Sequence, residues 1–185
     1  MKASRIAAIA FSAGLAMADC GVAEAQNRPV EDFYGRYVGS ATKADSPEVT
    51  DRDMDVVIRK GKSGKSFIVD WTTITRDGDN KLKRKRQEIE FQATARKDVY
   101  EAGMRTDKFG GRIPMDPIKG EPYVWARIQK DTLTVFALLI TDEGSFEVQV
   151  YERTLTDKGL QLEFSRFRDG LQRRHITAFL EKKAN

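Results

Sequence analysis

Turn-forming residues recur along this chain at intervals of about ten to twenty positions, and that rhythm constrains the fold more than any other feature. They fall at Gly61 to Gly64, Asp77-Gly78, Lys97-Asp98, Lys130-Asp131, Asp142-Glu143-Gly144, Asp157-Lys158-Gly159 and Asp169-Gly170. The segments between them are rich in Val, Ile, Thr, Phe and Tyr, the residues that suit a pleated, half-buried strand. Beyond a short turn at Val30 to Tyr34, no ten-residue stretch combines helical apolar spacing with good caps. Short strands joined by tight turns predict an all-β protein. The up-and-down order predicts an antiparallel barrel of about 8–10 strands, because closure removes the edges that a flat sheet exposes.

Alternation fixes the expected faces in the C-terminal half. Phe146, Val148 and Val150 alternate with Glu147, Gln149 and Tyr151, and Leu160, Leu162 and Phe164 alternate with Gln161, Glu163 and Ser165. Each set of apolar residues is expected to face the interior. A three-residue loop at Arg168-Asp169-Gly170 then pairs Leu162 with Ile176 and Leu160 with Ala178. That register turns Arg166 and Arg174 inward and sets His175 outward beside Glu163.

The N-terminus has the order of a secretory signal peptide: Lys2 and Arg5, an apolar run from Ile6 to Met17, then Ala23-Glu24-Ala25. Cys20 raises a lipoprotein reading, but Asp19 stands where the lipid-attachment pattern wants a small residue. The expected division is a signal peptide over 1–25 and one β-barrel domain over 26–185, with a periplasmic or secreted location. Cleavage after Ala25 removes the one cysteine, and with it disulfides and thiolate chemistry. The net charge of +4 is modest for a chain with 32% charged residues, and nucleic acid is not an expected partner of an exported protein. The apolar run at the N-terminus is too short for a membrane span of ~20 residues, and no longer one follows.

Several motifs imitate chemistry without supplying it. Gly64-Lys65-Ser66 ends like a phosphate-binding loop, yet Arg59 stands where the first glycine belongs. Strand-like Phe67-Ile68-Val69 follows where a helix is needed, so Gly61 to Lys65 reads as a basic hairpin turn. Asp77, Asp79 and Glu88 match parts of a calcium loop, but Leu82 takes the place of its glycine. Asp51, Asp53 and Asp55 fail likewise at Val56 and Lys62. His175 is the only histidine and has Arg173 and Arg174 beside it, and no Gly-x-Ser-x-Gly elbow exists. No enzymatic activity, metal or cofactor is expected. The densest charge, Lys81, Lys83, Arg84, Lys85 and Arg86, offers no apolar face. It is expected to form a solvated hairpin arm, with two readings open: an arm kept soluble by its charge, or a contact for anionic lipid or an acidic partner. The proline- and glycine-rich stretch from Gly103 to Pro122 is a candidate lid.

Gly35-Arg36-Tyr37, opening the first strand after a short N-terminal segment, resembles the Gly-x-Trp signature of lipocalins and related calycin-type barrels, with Tyr37 in the Trp position. The resemblance implies that Tyr37 closes one barrel end under an arginine of the last strand, here Arg174. It also implies that the other end takes a small apolar molecule. The ligand-binding set expected inside is Phe67, Trp71, Trp125 and Phe164, with Arg166 and Arg174 meeting an anionic head group. The competing expectation is an envelope interaction module with a filled barrel that works through its basic arm.

Overall fold

A computed structural model describes residues 26–44, 52–76, 82–102, 105–106, 112–113 and 115–184; the N-terminal segment read as a signal peptide, Lys81 and the Asp77-Gly78 turn lie outside them. Ten antiparallel strands close into a barrel. In chain order they are β1 (Gly35–Ala44), β2 (Arg52–Lys60), β3 (Ser66–Arg76), β4 (Leu82–Ala93) and β5 (Val99–Ala102), then β8 (Tyr123–Gln129), β9 (Thr132–Ile140), β10 (Phe146–Thr156), β11 (Gly159–Arg168) and β12 (Leu171–Lys183). Neighbours in sequence pair throughout and β12 returns to β1, which closes the barrel, although the β4–β5 ladder among the described residues spans only Phe91 to Ala93. Between β5 and β8 lie a two-residue pair, β6 (Arg105–Thr106) with β7 (Arg112–Ile113), and a 3-10 turn at Pro117–Lys119.

The turn chemistry sets the register. Asp169 and Gly170 both take the left-handed conformation, with φ of 50° and 78°, which is the two-residue hairpin turn that Asp-Gly favours. A bulge follows it, so Arg168 faces Leu171 while Arg166 faces Arg174. The three-residue loop expected from the sequence is therefore replaced by a two-residue turn plus one extra residue. Leu162 pairs with Ala178 and Leu160 with Leu180, two positions beyond the expected partners. The bulge restores the parity that the shorter turn would have reversed, so Ile176 and Ala178 still point inward. His175 lies opposite Ser165 rather than Glu163.

A second correction concerns β10. Its hairpin to β11 sets Leu155 against Leu160 and Arg153 against Leu162, which turns Tyr151, Arg153 and Leu155 inward. Phe146, Val148 and Val150 go to the outer wall. In the same way the Lys130-Asp131 turn pairs Ile128 with Leu133 and Ala126 with Val135 inside. Trp125 and Phe136 are left outside, stacked on each other at 4.9 Å. Trp125 is thus not an interior residue.

One end of the barrel is plugged. The 3-10 turn Val30–Phe33 buries Phe33 completely, and the buried Tyr37 hydroxyl donates to the Phe33 carbonyl at 2.9 Å. Ahead of it, Asn27 donates to Asp98 and accepts from the Lys130 amide, tying the chain across two hairpin turns of that end. Inside, Phe67 stacks on Phe91 at 5.3 Å and meets the edge of Tyr100 at 5.0 Å. With Val56, Ile58, Val69, Leu133, Leu160 and Leu180 they form a close-packed half-core.

Candidate functional site

The other half of the interior is hollow. A cavity of about 460 Å³ opens at the end where β2, β4, β8, β10 and β12 begin. At ~30 Å³ per water it has room for about fifteen waters, within the range of small-molecule sites. Its floor and walls are Val56, Trp71, Tyr151, Leu162, Phe164 and Ile176, and its cations are Arg52, Lys83, Lys85, Arg153 and Arg174. No aspartate or glutamate lines it.

Arg153 is the deepest of these charges. Alternation on β10 sends it inward between Tyr151 and Leu155, where it is 1% exposed. Its guanidinium lies 5.6 Å from the rings of both Trp71 and Tyr151, in reach of their π-faces. Its Nε and Nη1 have no hydrogen-bond partner. Burial pulls its pKa down to about 10, which leaves it charged at neutral pH. Arg52, nearer the mouth, is lowered by burial and then by the positive charge of Arg174. Its Nε is also buried and unpartnered. Among the described residues no carboxylate pairs with Arg52, Arg153 or Arg174. A cavity with this much like charge on apolar walls holds a positive potential that low-dielectric surroundings focus.

The residues expected from the sequence divide between several places. Trp71, Phe164 and Arg174 line the cavity. Phe67 is inside but belongs to the packed half. Trp125 lies on the outer wall, and Arg166 reaches toward Glu147 at 3.9 Å rather than into the cavity. The cation over Tyr37 is Lys182, at 5.7 Å, not Arg174. Eight residues of β12, about 26 Å of strand, separate the two, so Arg174 serves the open end and not the closed one.

The basic run is also redistributed. β4 pairs with β3 as far as Leu82 opposite Arg76 in a hairpin whose residues Leu82 to Glu88 are exposed, as expected, and β2 flanks β3 as far as Arg52 opposite Thr75. Lys83 and Lys85 face the cavity mouth. Outside, Arg86 forms a bidentate pair with Asp70 and also meets Glu88. The Gly61 to Lys65 segment is the β2–β3 hairpin turn. Asp53 and Asp55 sit on a strand, where Asp55 binds Arg36 and Asp53 accepts from Ser40. Ser165 Oγ lies 3.2 Å from His175 Nδ1, with no carboxylate bonded to the ring among the described residues.

Arg153 and Arg52 escaped the sequence reading. The signal for Arg153 was present in the Asp157-Lys158 turn, which fixes the inward phase of β10 once Leu155 is set against Leu160. No protein-family model and no curated protein sequence matches the chain, so the chemistry of the cavity carries the functional reading.

Proposed function

We propose that this barrel binds a small anionic amphiphile, such as a carboxylate, sulfate or phosphate ester with an apolar body, inside its open half. Arg153 carries the reading. A buried guanidinium with two unpartnered nitrogens and no carboxylate paired with it among the described residues is costly in an empty barrel, and an incoming oxyanion supplies both hydrogen bonds. Trp71, Tyr151 and Phe164 give the apolar body its contact surface, and Arg52 and Arg174 draw the anion through the mouth. The arrangement supports a lipocalin-like mode of binding, with the anionic group held deep rather than at the rim. The order of residues 1–25 supports an exported protein, periplasmic or secreted; intact mass of the recovered protein beginning at Gln26 is the expected observation, and a lipid-bearing chain beginning at Cys20 would contradict it.

The binding test uses Trp71, which lines the cavity, after the outer tryptophan is removed as Trp125→Phe. Titration with dodecanoate should change Trp71 emission saturably. Dodecanol, lacking the charge, should bind at least about tenfold more weakly, since a hydrogen bond to a charged group contributes about 1.5–3 kcal/mol. Absence of saturable change with carboxylate, sulfate and phosphate amphiphiles alike would favour the interaction module instead.

A further inference from the structure

Among the described residues, the six most exposed large apolar side chains are not scattered. Five of them, Leu82 (64%), Ile118 (81%), Tyr123 (40%), Phe146 (43%) and Leu171 (60%), lie at the cavity's open end, each at or near the start of a strand or in the turn before it. They come from four different connections, so they encircle the mouth rather than line a groove. Two share a local pattern. Leu82 is followed by Arg84 on the outer face of β4, and Leu171 by Arg173, the extra residue of the β11–β12 bulge; both cations are exposed and without an ion pair among the described residues. Arg84 sits two strand residues, about 6.5 Å, behind Leu82, and Arg173 follows Leu171 at the bulge. Four described acids of this end are engaged locally: Asp169 accepts from the Phe146 amide, Asp116 from Ile118, Glu121 from Asp116, and Glu143 faces Arg168.

We infer that this collar seats the barrel mouth-down on an anionic lipid bilayer. Apolar tips reach the acyl boundary while arginines one step behind meet the phosphates of the head groups, an order that a membrane interface rewards. A ring of separate tips suits a deformable, laterally uniform surface better than a protein of fixed shape. It also surrounds the cavity, so a docked barrel opens directly onto lipid. The inference rests on the reading of the cavity as an amphiphile site, with the bilayer as the place where that ligand is collected or delivered.

The test is flotation of the protein as recovered from cells with vesicles of phosphatidylcholine alone or with about one third phosphatidylglycerol, the anionic fraction supplying the charge. The parent should float with the anionic vesicles. Leu82→Ser with Leu171→Ser should lower the vesicle-bound fraction at least fivefold, as should Ile118→Ser with Leu171→Ser if the first pair folds poorly. Arg84→Gln with Arg173→Gln should remove the preference for anionic lipid. None of these residues lines the cavity, so dodecanoate titration of Trp71 should be unchanged in all three. Loss of that titration in the parent, with flotation intact, would sink the cavity reading alone. Absence of flotation, or flotation indifferent to the collar variants, overturns the docking surface. So does a self-associated state by sedimentation that the leucine variants dissolve, because the collar would then join two copies of the chain.

Discussion

At Arg153 stability and binding oppose each other. The charge is buried between Trp71 and Tyr151, whose π-faces offset only part of its desolvation, and two nitrogens remain unpartnered. Arg153→Met keeps an unbranched stem of similar reach and removes the charge. It should raise the stability of the empty barrel by about 1–3 kcal/mol in a denaturant melt, while abolishing the preference for dodecanoate over dodecanol. A loss of stability instead would mean that the guanidinium serves as a structural wedge. The Asp70–Arg86 pair on the outer wall behaves in the ordinary way. The hydrogen bond from Arg86 holds the Asp70 carboxyl below its usual 3.8. A depressed folded value stabilises the protein above the unfolded pKa, and that contribution is lost as pH falls through the folded one. Asp70→Asn should therefore lower the melting temperature at pH 7, with a gap that narrows as pH falls below 3.8 and the parent loses the same interaction; a gap that does not narrow on acidification would contradict the assignment.

Among the elements, the β1–β12 seam is tight at Gly39. A Cβ at Gly39 would stand 2.1 Å from the Phe179 carbonyl and 3.0 Å from the Leu180 side chain. Gly39→Val must part the strands that close the barrel, and should cost about 3 kcal/mol in a chemical melt. A variant as stable as the parent would mean that the seam is looser than its geometry implies. The strands themselves were legible because β-branched and aromatic segments between turn residues have few other folds open to them. The facing of β11 was legible too, since Leu160, Leu162 and Phe164 form its one apolar phase. In β10 both phases are apolar over part of the strand, Phe146 to Val150 on one and Tyr151 to Leu155 on the other, so alternation alone could not choose. The choice belongs to the hairpin that sets Leu155 against Leu160, and the error there carried Phe146 and Val148 inside and hid Arg153. Trp125 was misplaced for the same reason, with small Ala126 taking the inner position and the ring stacking outside on Phe136. The bulge beyond Asp169-Gly170 had no local signature at all.

Across the whole molecule the barrel is packed in one half and hollow in the other, and the two halves should differ in how they respond to ligand. The closed half holds the plug, Phe33 and Tyr37, and the Phe67, Phe91 and Tyr100 cluster. Its amides should exchange only through global unfolding. In the open half, β4 from Leu82 to Glu90 has β3 as its one ladder partner among the described residues, and the like charges of Arg52 and Arg174 oppose each other at the cavity. Exchange there should proceed by smaller openings. Dodecanoate fills the hollow half and brings negative charge to its cations. It should slow exchange first in the open-end residues of β2, β3, β4, β10 and β12. At a hundredfold excess over Kd it should also stabilise the whole barrel by about 2.7 kcal/mol, because it binds the folded state alone. The closed half should then gain protection only by that global increment. Hydrogen exchange read by mass spectrometry, with and without dodecanoate, separates the two responses. Protection gained at the plugged end and not at the mouth would place the ligand elsewhere and leave the hollow half without the role argued for Arg153.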